Sequence, residues 1–262
     1  MQEPAWQPWR NGQRPATPGL ARIIGHRGAA SRAPENTLAG IRKAHALGAR
    51  WVEFDVMLSG DAVPILIHDE RLGRTTNGRG PVASRTAAEI RALDAGGWFS
   101  PEFKGERVPT LDEAVDLLLE LGLGCNAEIK PAKGHEVATG EVVAETLARR
   151  WPEDGPPLLL SSFARPALAA ARRVAPDLPR GLLAHRLPDD WPEAMTSLGC
   201  TTLHLDHART SLATIARLTG AGVPVLLYTV NQVSRAVELL AAGAAALFTD
   251  VPDTLLAALP AQ

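Results

Sequence analysis

Four segments stand out within residues 25–69: Gly25-His26-Arg27-Gly28, Pro34-Glu35-Asn36-Thr37, Trp51-Val52-Glu53-Phe54-Asp55 and Ile65-Leu66-Ile67-His68-Asp69. Two histidines, an arginine and two carboxylates among them each follow or sit inside a short apolar run. Apolar runs of this length, separated by an amphipathic segment, are the signature of buried parallel strands joined through a helix. Polar groups at the ends of such strands carry a desolvation cost that a ligand or a partner must offset. A doubly wound nucleotide-binding sheet would place a Gly-rich fingerprint at the first turn. His-Arg-Gly stands there instead, so the first turn argues for another α/β architecture.

Working outward, residues 22–25 form a first strand, and Asn36 is placed to cap a helix over 37–48, which Gly48 ends. A second strand covers 51–58 and a third extended run covers 63–67. From about 71 to 110 the pattern loosens, with Gly73, Gly78, Gly80, Gly96, Gly97 and Gly105 as punctuation and one short helical piece near 87–93. So long a stretch without a strong period marks a functional insertion, read as a lid or small subdomain over the strand ends. Thr110 can cap a clear amphipathic helix over 111–121. Six strand–helix pairs then follow from 124 to the C-terminus, bringing the count to about eight, with Gly122, Gly199, Gly222 and Gly243 in the αβ turns. The evenness of that alternation predicts a closed (β/α)8 barrel, a TIM barrel of the α/β class, in a single domain over 21–262 after an N-terminal tail over 1–20.

Composition narrows the function classes. The 262 residues are 45% hydrophobic and 21% charged, with a formal net charge of -2. Nothing supplies the basic footprint that nucleic acid requires. Cys125 and Cys200 are too few for a disulfide framework and read as small buried hydrophobes in a reducing compartment. No run reaches the roughly 18 apolar residues of a membrane span, and residues 1–20 lack the apolar core of a secretory signal. Cytoplasmic location is the expectation, with no stable insertion into membrane.

Alternation within the strands points to chemistry. Side chains two apart share a face, so Glu53 and Asp55 lie opposite Val52, Phe54 and Val56. Asn126, Glu128 and Lys130 likewise share one face. Carboxylates converging on one volume repel unless a cation lies between them, and an all-oxygen set suits a hard ion, Mg²⁺ or Ca²⁺. The alternative for Glu53 and Asp55 is ion pairing with lysine or arginine inside the barrel. His26 and His68, each at a strand end beside acids, are candidates for proton transfer.

These motifs, together with Glu128-Ile129-Lys130, Leu160-Ser161-Ser162-Phe163, Tyr228-Thr229-Val230-Asn231 and Phe248-Thr249-Asp250-Val251-Pro252-Asp253, resemble the glycerophosphodiester phosphodiesterase family over about residues 22–256. The middle of the chain is similar to its bacterial cytoplasmic branch. The resemblance implies a (β/α)8 barrel with an insertion after the second barrel strand, which would leave residues 63–67 outside the barrel count. It implies hydrolysis of glycerophosphodiesters, such as glycerophosphocholine and glycerophosphoethanolamine, to sn-glycerol 3-phosphate and an alcohol. By the same resemblance Glu53, Asp55 and Glu128 bind the divalent cation, and His26 and His68 are the acid–base pair. Sequence does not divide the two roles; the preference taken is His26 as base and His68 as acid. Arg27 and Lys130 are expected on the phosphate oxygens, with Phe103, His204 and Tyr228 as further substrate-binding candidates. Glu35 is expected to orient Arg27. Tyr228 stands where the family commonly has tryptophan, which adds a hydroxyl to the pocket wall. Two other readings stand beside the hydrolase: a phospholipase-like lyase releasing a cyclic phosphate, and a silent barrel that only binds metal or phosphate. A monomer or a homodimer is expected.

Overall fold

The computed structural model describes residues 19–259, so most of the tail expected over 1–20 lies outside the described residues. In chain order the elements are β1 (Ile23–Gly25), α1 (Leu38–Ala46), β2 (Trp51–Leu58), β3 (Pro64–Leu66), α2 (Ala87–Arg91), α3 (Leu111–Leu121), β4 (Gly124–Ile129), α4 (Glu136–Arg150), β5 (Leu158–Ser162), α5 (Arg165–Val174), β6 (Arg180–Ala184), α6 (Trp191–Leu198), β7 (Cys200–Asp206), α7 (Leu212–Gly220), β8 (Val225–Tyr228), α8 (Val233–Ala241), β9 (Ala246–Thr249) and α9 (Pro252–Ala258). Short 3-10 turns at Val82–Ser84 and Pro101–Phe103 complete the insertion.

Eight strands run parallel in the order β1-β9-β8-β7-β6-β5-β4-β2, and the pair β1–β2 closes the ring. The protein is a closed, eight-stranded TIM barrel. β3 is not one of the eight. It pairs antiparallel with the far end of β2, Val56 opposite Leu66 and Leu58 opposite Pro64, beyond the point where three-residue β1 has already ended. The extended run over 63–67 is therefore a spur that starts the insertion.

All eight residues of β2 are buried, because both faces are covered. Val52, Phe54 and Val56 pack outward against α1 and α3 through Ile41, Ala44, Leu111, Ala114 and Leu118. A second half-shell centred on Leu203, Leu205, Ile215, Leu227 and Leu247 completes the layer between barrel and helices. Inside, Ile24, Trp51, Leu159, Leu226 and Phe248 pack together as an apolar floor. The insertion has a small core of its own, Met57, Ile65, Leu72, Val82, Ile90 and Val108, so it is a packed subdomain on β2.

Helix starts follow local chemistry. Thr110 caps α3 in a reciprocal capping box with Glu113. At α1 the cap is Thr37, whose hydroxyl accepts from Gly40 N–H, and not Asn36 as the sequence suggested. Asn36 is drawn into the barrel instead.

Candidate active site

The polar residues gather at the C-terminal ends of the parallel strands, where the loops of this fold build sites. A cavity of about 180 Å³ opens there, lined by His26, Arg27, Glu53, His68, Asn126, Glu128, Lys130, Phe163, Leu183, His185, His204, Tyr228, Thr229 and Phe248. Two larger, shallower depressions lie at the opposite end, around Trp151–Leu158 and around Arg50 and Leu121; neither contains the clustered acids or the paired histidines.

Glu53 and Asp55 from β2 and Glu128 from β4 each offer an oxygen, all within 4.8 Å of one another, and all three residues are buried. The register explains the meeting, since Asp55 lies directly opposite Glu128 in the β2–β4 ladder. Burial, then the neighbouring Asp55 and Glu128 charges, push Glu53 well above the usual carboxylate range. Burial and Asp55 raise Glu128 to about 7, against the pull of Lys130. Asp55 takes the opposite course: burial opposes its charge, but Arg27 and Lys130 overcome this and hold it at about 2. Glu53 Oε1 is buried with no hydrogen-bond partner. Three crowded carboxylates, two of them reluctant to ionise and one with an orphaned oxygen, fit a hard divalent cation.

Two cations flank the acids. Arg27 takes a left-handed backbone (φ 51°) immediately after β1, which turns its N–H onto Glu53 Oε2 at 2.9 Å and its guanidinium onto Glu35 Oε1 at 2.7 Å. Its Nε lies 3.2 Å from Asp55 Oδ2. Lys130 Nζ sits 3.2 Å from Glu128 Oε1 and 3.4 Å from Asp55 Oδ1. The ion pairs weighed as the alternative are thus present, yet two cations for three carboxylates leave Glu53 Oε1 unmatched.

Both histidines are held the same way. His26 Nδ1 lies 2.6 Å from Asp250 Oδ1, and His68 Nδ1 lies 2.6 Å from Asp69 Oδ1. An imidazole that gives its Nδ1 proton to a carboxylate presents Nε2 as the working nitrogen. His26 Nε2 is 3.9 Å from Glu53 Oε2. Burial depresses His68, partly offset by Asp55, so its neutral form is favoured near pH 7.

Sequence reasoning missed most of these partners. Asp250 is itself fixed by Asn231, which donates from Nδ2 to Asp250 Oδ2 and accepts from the Asp250 N–H. Asp69 is tied to Arg74 of the insertion, which also bonds both oxygens of Glu35. Asn36 donates to Asp55 Oδ2 at 2.8 Å while its Oδ1 accepts the Asp55 N–H at 3.0 Å. Contacts spanning up to 224 residues leave no local pattern, although Asp250 and Asn231 stand in the motifs quoted above.

The remaining expected residues divide. His204 and Tyr228 line the cavity. Phe103 is not among the lining residues; it packs edge-on against Phe99 within the insertion, which serves as an anchor for that subdomain. Lining residues that carried no expected role are Phe163 and His185, whose rings stack at 4.6 Å, with Leu183, Asn126, Thr229 and Phe248.

The chain is similar to known proteins over most of its length. The family model described as the glycerophosphoryl diester phosphodiesterase family matches residues 26–254. A glycerophosphodiester phosphodiesterase of Caldanaerobacter subterraneus is 34% identical over 235 residues, covering 89% of this chain and 96% of its own. A putative glycerophosphodiester phosphodiesterase of Bacillus subtilis is 33% identical over 240 residues, with the same coverage. Among solved structures, a phosphodiesterase of Oleispira antarctica in complex with the product sn-glycerol-3-phosphate superposes with a TM-score of 0.88 at 40% identity, covering 91% of this chain and 96% of that one. The chain belongs to the glycerophosphoryl diester phosphodiesterase family, enzymes that hydrolyse phosphoric diesters.

Proposed function

We propose that this protein hydrolyses small glycerophosphodiesters, glycerophosphocholine and glycerophosphoethanolamine among them, to sn-glycerol 3-phosphate and an alcohol, in a metal-dependent reaction with His26 and His68 as the acid–base pair. The observation that carries this is the acidic cluster Glu53, Asp55 and Glu128 in one cavity with two imidazoles, each anchored through Nδ1. Mg²⁺ or Ca²⁺ held by those three carboxylates would supply Lewis-acid stabilisation of charge at a phosphoryl oxygen. Arg27 and Lys130 hold the other phosphate oxygens and offset charge that develops as the phosphorus is attacked. One imidazole removes the proton of the nucleophile; the other, protonated, delivers a proton to the departing alkoxide oxygen. Asp250 and Asp69 keep the two rings oriented and stabilise each imidazolium while it exists. Tyr228, whose hydroxyl donates to the Ala184 carbonyl at 2.9 Å, and His204 form the wall against which the organic part of the substrate rests. Two buried free thiols are in keeping with action in the cytoplasm.

The direct test is turnover by His26→Ala and His68→Ala. Each is expected to lower kcat by about 10²–10⁴-fold, the usual contribution of general acid–base catalysis, with an unchanged thermal melt. Turnover like the unsubstituted protein's in either variant would remove that histidine from the pair.

A further inference from the structure

His204 is a buried histidine that the proton chemistry does not use. It stands in the middle of β7, is 1% exposed, and lines the cavity together with Glu53 and Glu128. Its ring is housed rather than merely tolerated. Gly181 of β6 leaves room for it: a Cβ there would lie 2.4 Å from His204 Nε2 and 2.6 Å from Thr202 Oγ1. Thr202 Oγ1 holds Nε2 at 2.8 Å, and the Phe248 ring flanks the imidazole at 5.4 Å between centroids. With one nitrogen so fixed, the other, Nδ1, is buried with no hydrogen-bond partner. Across the barrel on β4, Asn126 repeats the pattern. Its Nδ2 donates to Ser161 Oγ at 2.9 Å, while its Oδ1 is buried and unpartnered. Buried polar atoms are rarely left unpaired in a folded protein without a functional reason, since each orphan costs about 1–3 kcal/mol.

Beside Glu53 Oε1 and Arg27 Nε, which belong to the charged cluster, these two neutral orphans in the same cavity describe what is missing from it. The Thr202 hydroxyl can either donate to Nε2, leaving a proton on Nδ1, or accept from it, leaving Nδ1 a bare acceptor. A hydroxyl serves both cases, because it donates and accepts. Burial holds His204 down at about 3, so the ring is neutral and offers a hydrogen bond rather than a charge. The charged parts of a diester belong with Arg27, Lys130 and the acids, and the apolar floor of Ile24, Trp51, Leu159 and Leu226 closes the other end.

We propose that His204, with Asn126 facing it, forms a hydroxyl-reading subsite that takes the terminal hydroxyl of the substrate's glycerol arm and makes the enzyme selective for that arm. Within the glycerol arm the terminal hydroxyl is the group farthest from phosphorus, so it is the one that reaches deepest when that arm enters the barrel and the phosphate sits at the strand ends. This inference rests on the hydrolase function proposed above and gives one end of the substrate a place. His204 is a specificity-determining residue, with no part in proton transfer.

The test compares glycerophosphocholine with its analogue lacking only the terminal hydroxyl, the phosphocholine diester of 1,2-propanediol, which keeps the hydroxyl next to the phosphoester carbon. The protein as it stands is expected to prefer the hydroxylated substrate by at least ~10²-fold in kcat/KM, as sites built to bond a hydroxyl do. His204→Leu is expected to abolish the preference by losing activity on glycerophosphocholine alone. His204→Asn, which keeps a polar atom near the place of Nδ1, should restore part of it. Equal kcat/KM for the two diesters, measured on the unsubstituted protein and so independent of how any variant folds, would overturn the subsite. A preference retained in His204→Leu would assign the selectivity to another residue. Activity on neither diester would instead overturn the function proposed above, and the subsite with it.

Discussion

Each of the two histidines gives Nδ1 to a carboxylate, but the carboxylates are secured differently. Asp250 is bound by Asn231 and belongs to the barrel wall; Asp69 is bound by Arg74, which reaches in from the insertion. The Arg74 hydrogen bond comes first among the effects holding Asp69 at about 2; burial opposes it, and His68 adds a smaller pull in the same direction as Arg74. A carboxyl depressed in the folded state contributes stability that is fully present above its ordinary pKa of about 3.9 and is lost as pH falls through the folded value. Asp69→Asn is therefore expected to lower the urea midpoint at pH 5 and above, with the gap to the unsubstituted protein closing between pH 4 and 2. A gap that stays constant over that range would show that the Asp69 charge contributes nothing to stability. At this scale much was legible. Alternation in β2 and β4 brought Glu53, Asp55 and Glu128 to one face because a period of two is a local property. Asp69 stands next to His68 in the sequence, but the partner of His26 was not legible, since His26 and Asp250 meet only when β1 pairs with β9.

Among the elements, helix limits and the strand alternation followed from capping residues and apolar periodicity, and the two exceptions are instructive. Asn36 has the chemistry of a cap, yet Thr37 one position on takes that place, leaving the Asn36 amide to match both the N–H and the carboxylate of Asp55. Residues 63–67 have the composition of a core strand, but they pair with only the last three residues of β2. A different device joins the elements on the far side of the barrel. Arg180, at the start of β6, is 4% exposed and donates to the carbonyls of Ala175, Pro176, Leu178 and Leu198. It ties the segment after α5 to the end of α6; of those oxygens, that of Ala175 also accepts from the Leu178 N–H. Arg180→Leu is expected to cost about 3 kcal/mol, because it strands buried carbonyls. Arg180→Lys should recover only part, since a compact ammonium lacks the planar fork of donors. Chemical denaturation of both variants checks this; a loss under about 1 kcal/mol in Arg180→Leu would mean that water replaces the guanidinium without penalty.

For the whole molecule, eight parallel strands around an apolar floor confine function to one end, and the insertion on β2 completes it by lending His68, Asp69 and Arg74. Among the described residues no helix is long and apolar enough to cross a membrane. Ring closure was legible from the count and evenness of strand–helix units, since an open sheet would have needed a switch in order that the pattern lacks. The insertion was legible as a break in that pattern but its interior was not: Phe103 faces Phe99 rather than the cavity, a choice made by packing that no spacing reveals. The central claim, that the buried acids at the strand ends hold a cation required for diester hydrolysis, is tested by release of sn-glycerol 3-phosphate from glycerophosphocholine. The protein is assayed before and after EDTA treatment, then with Mg²⁺ or Ca²⁺ restored, alongside Glu53→Gln. Loss of activity to the chelator, recovery with one of the ions, and a weaker ion dependence in Glu53→Gln are the predicted results. Full activity in EDTA, or an ion titration unchanged in Glu53→Gln, would contradict it.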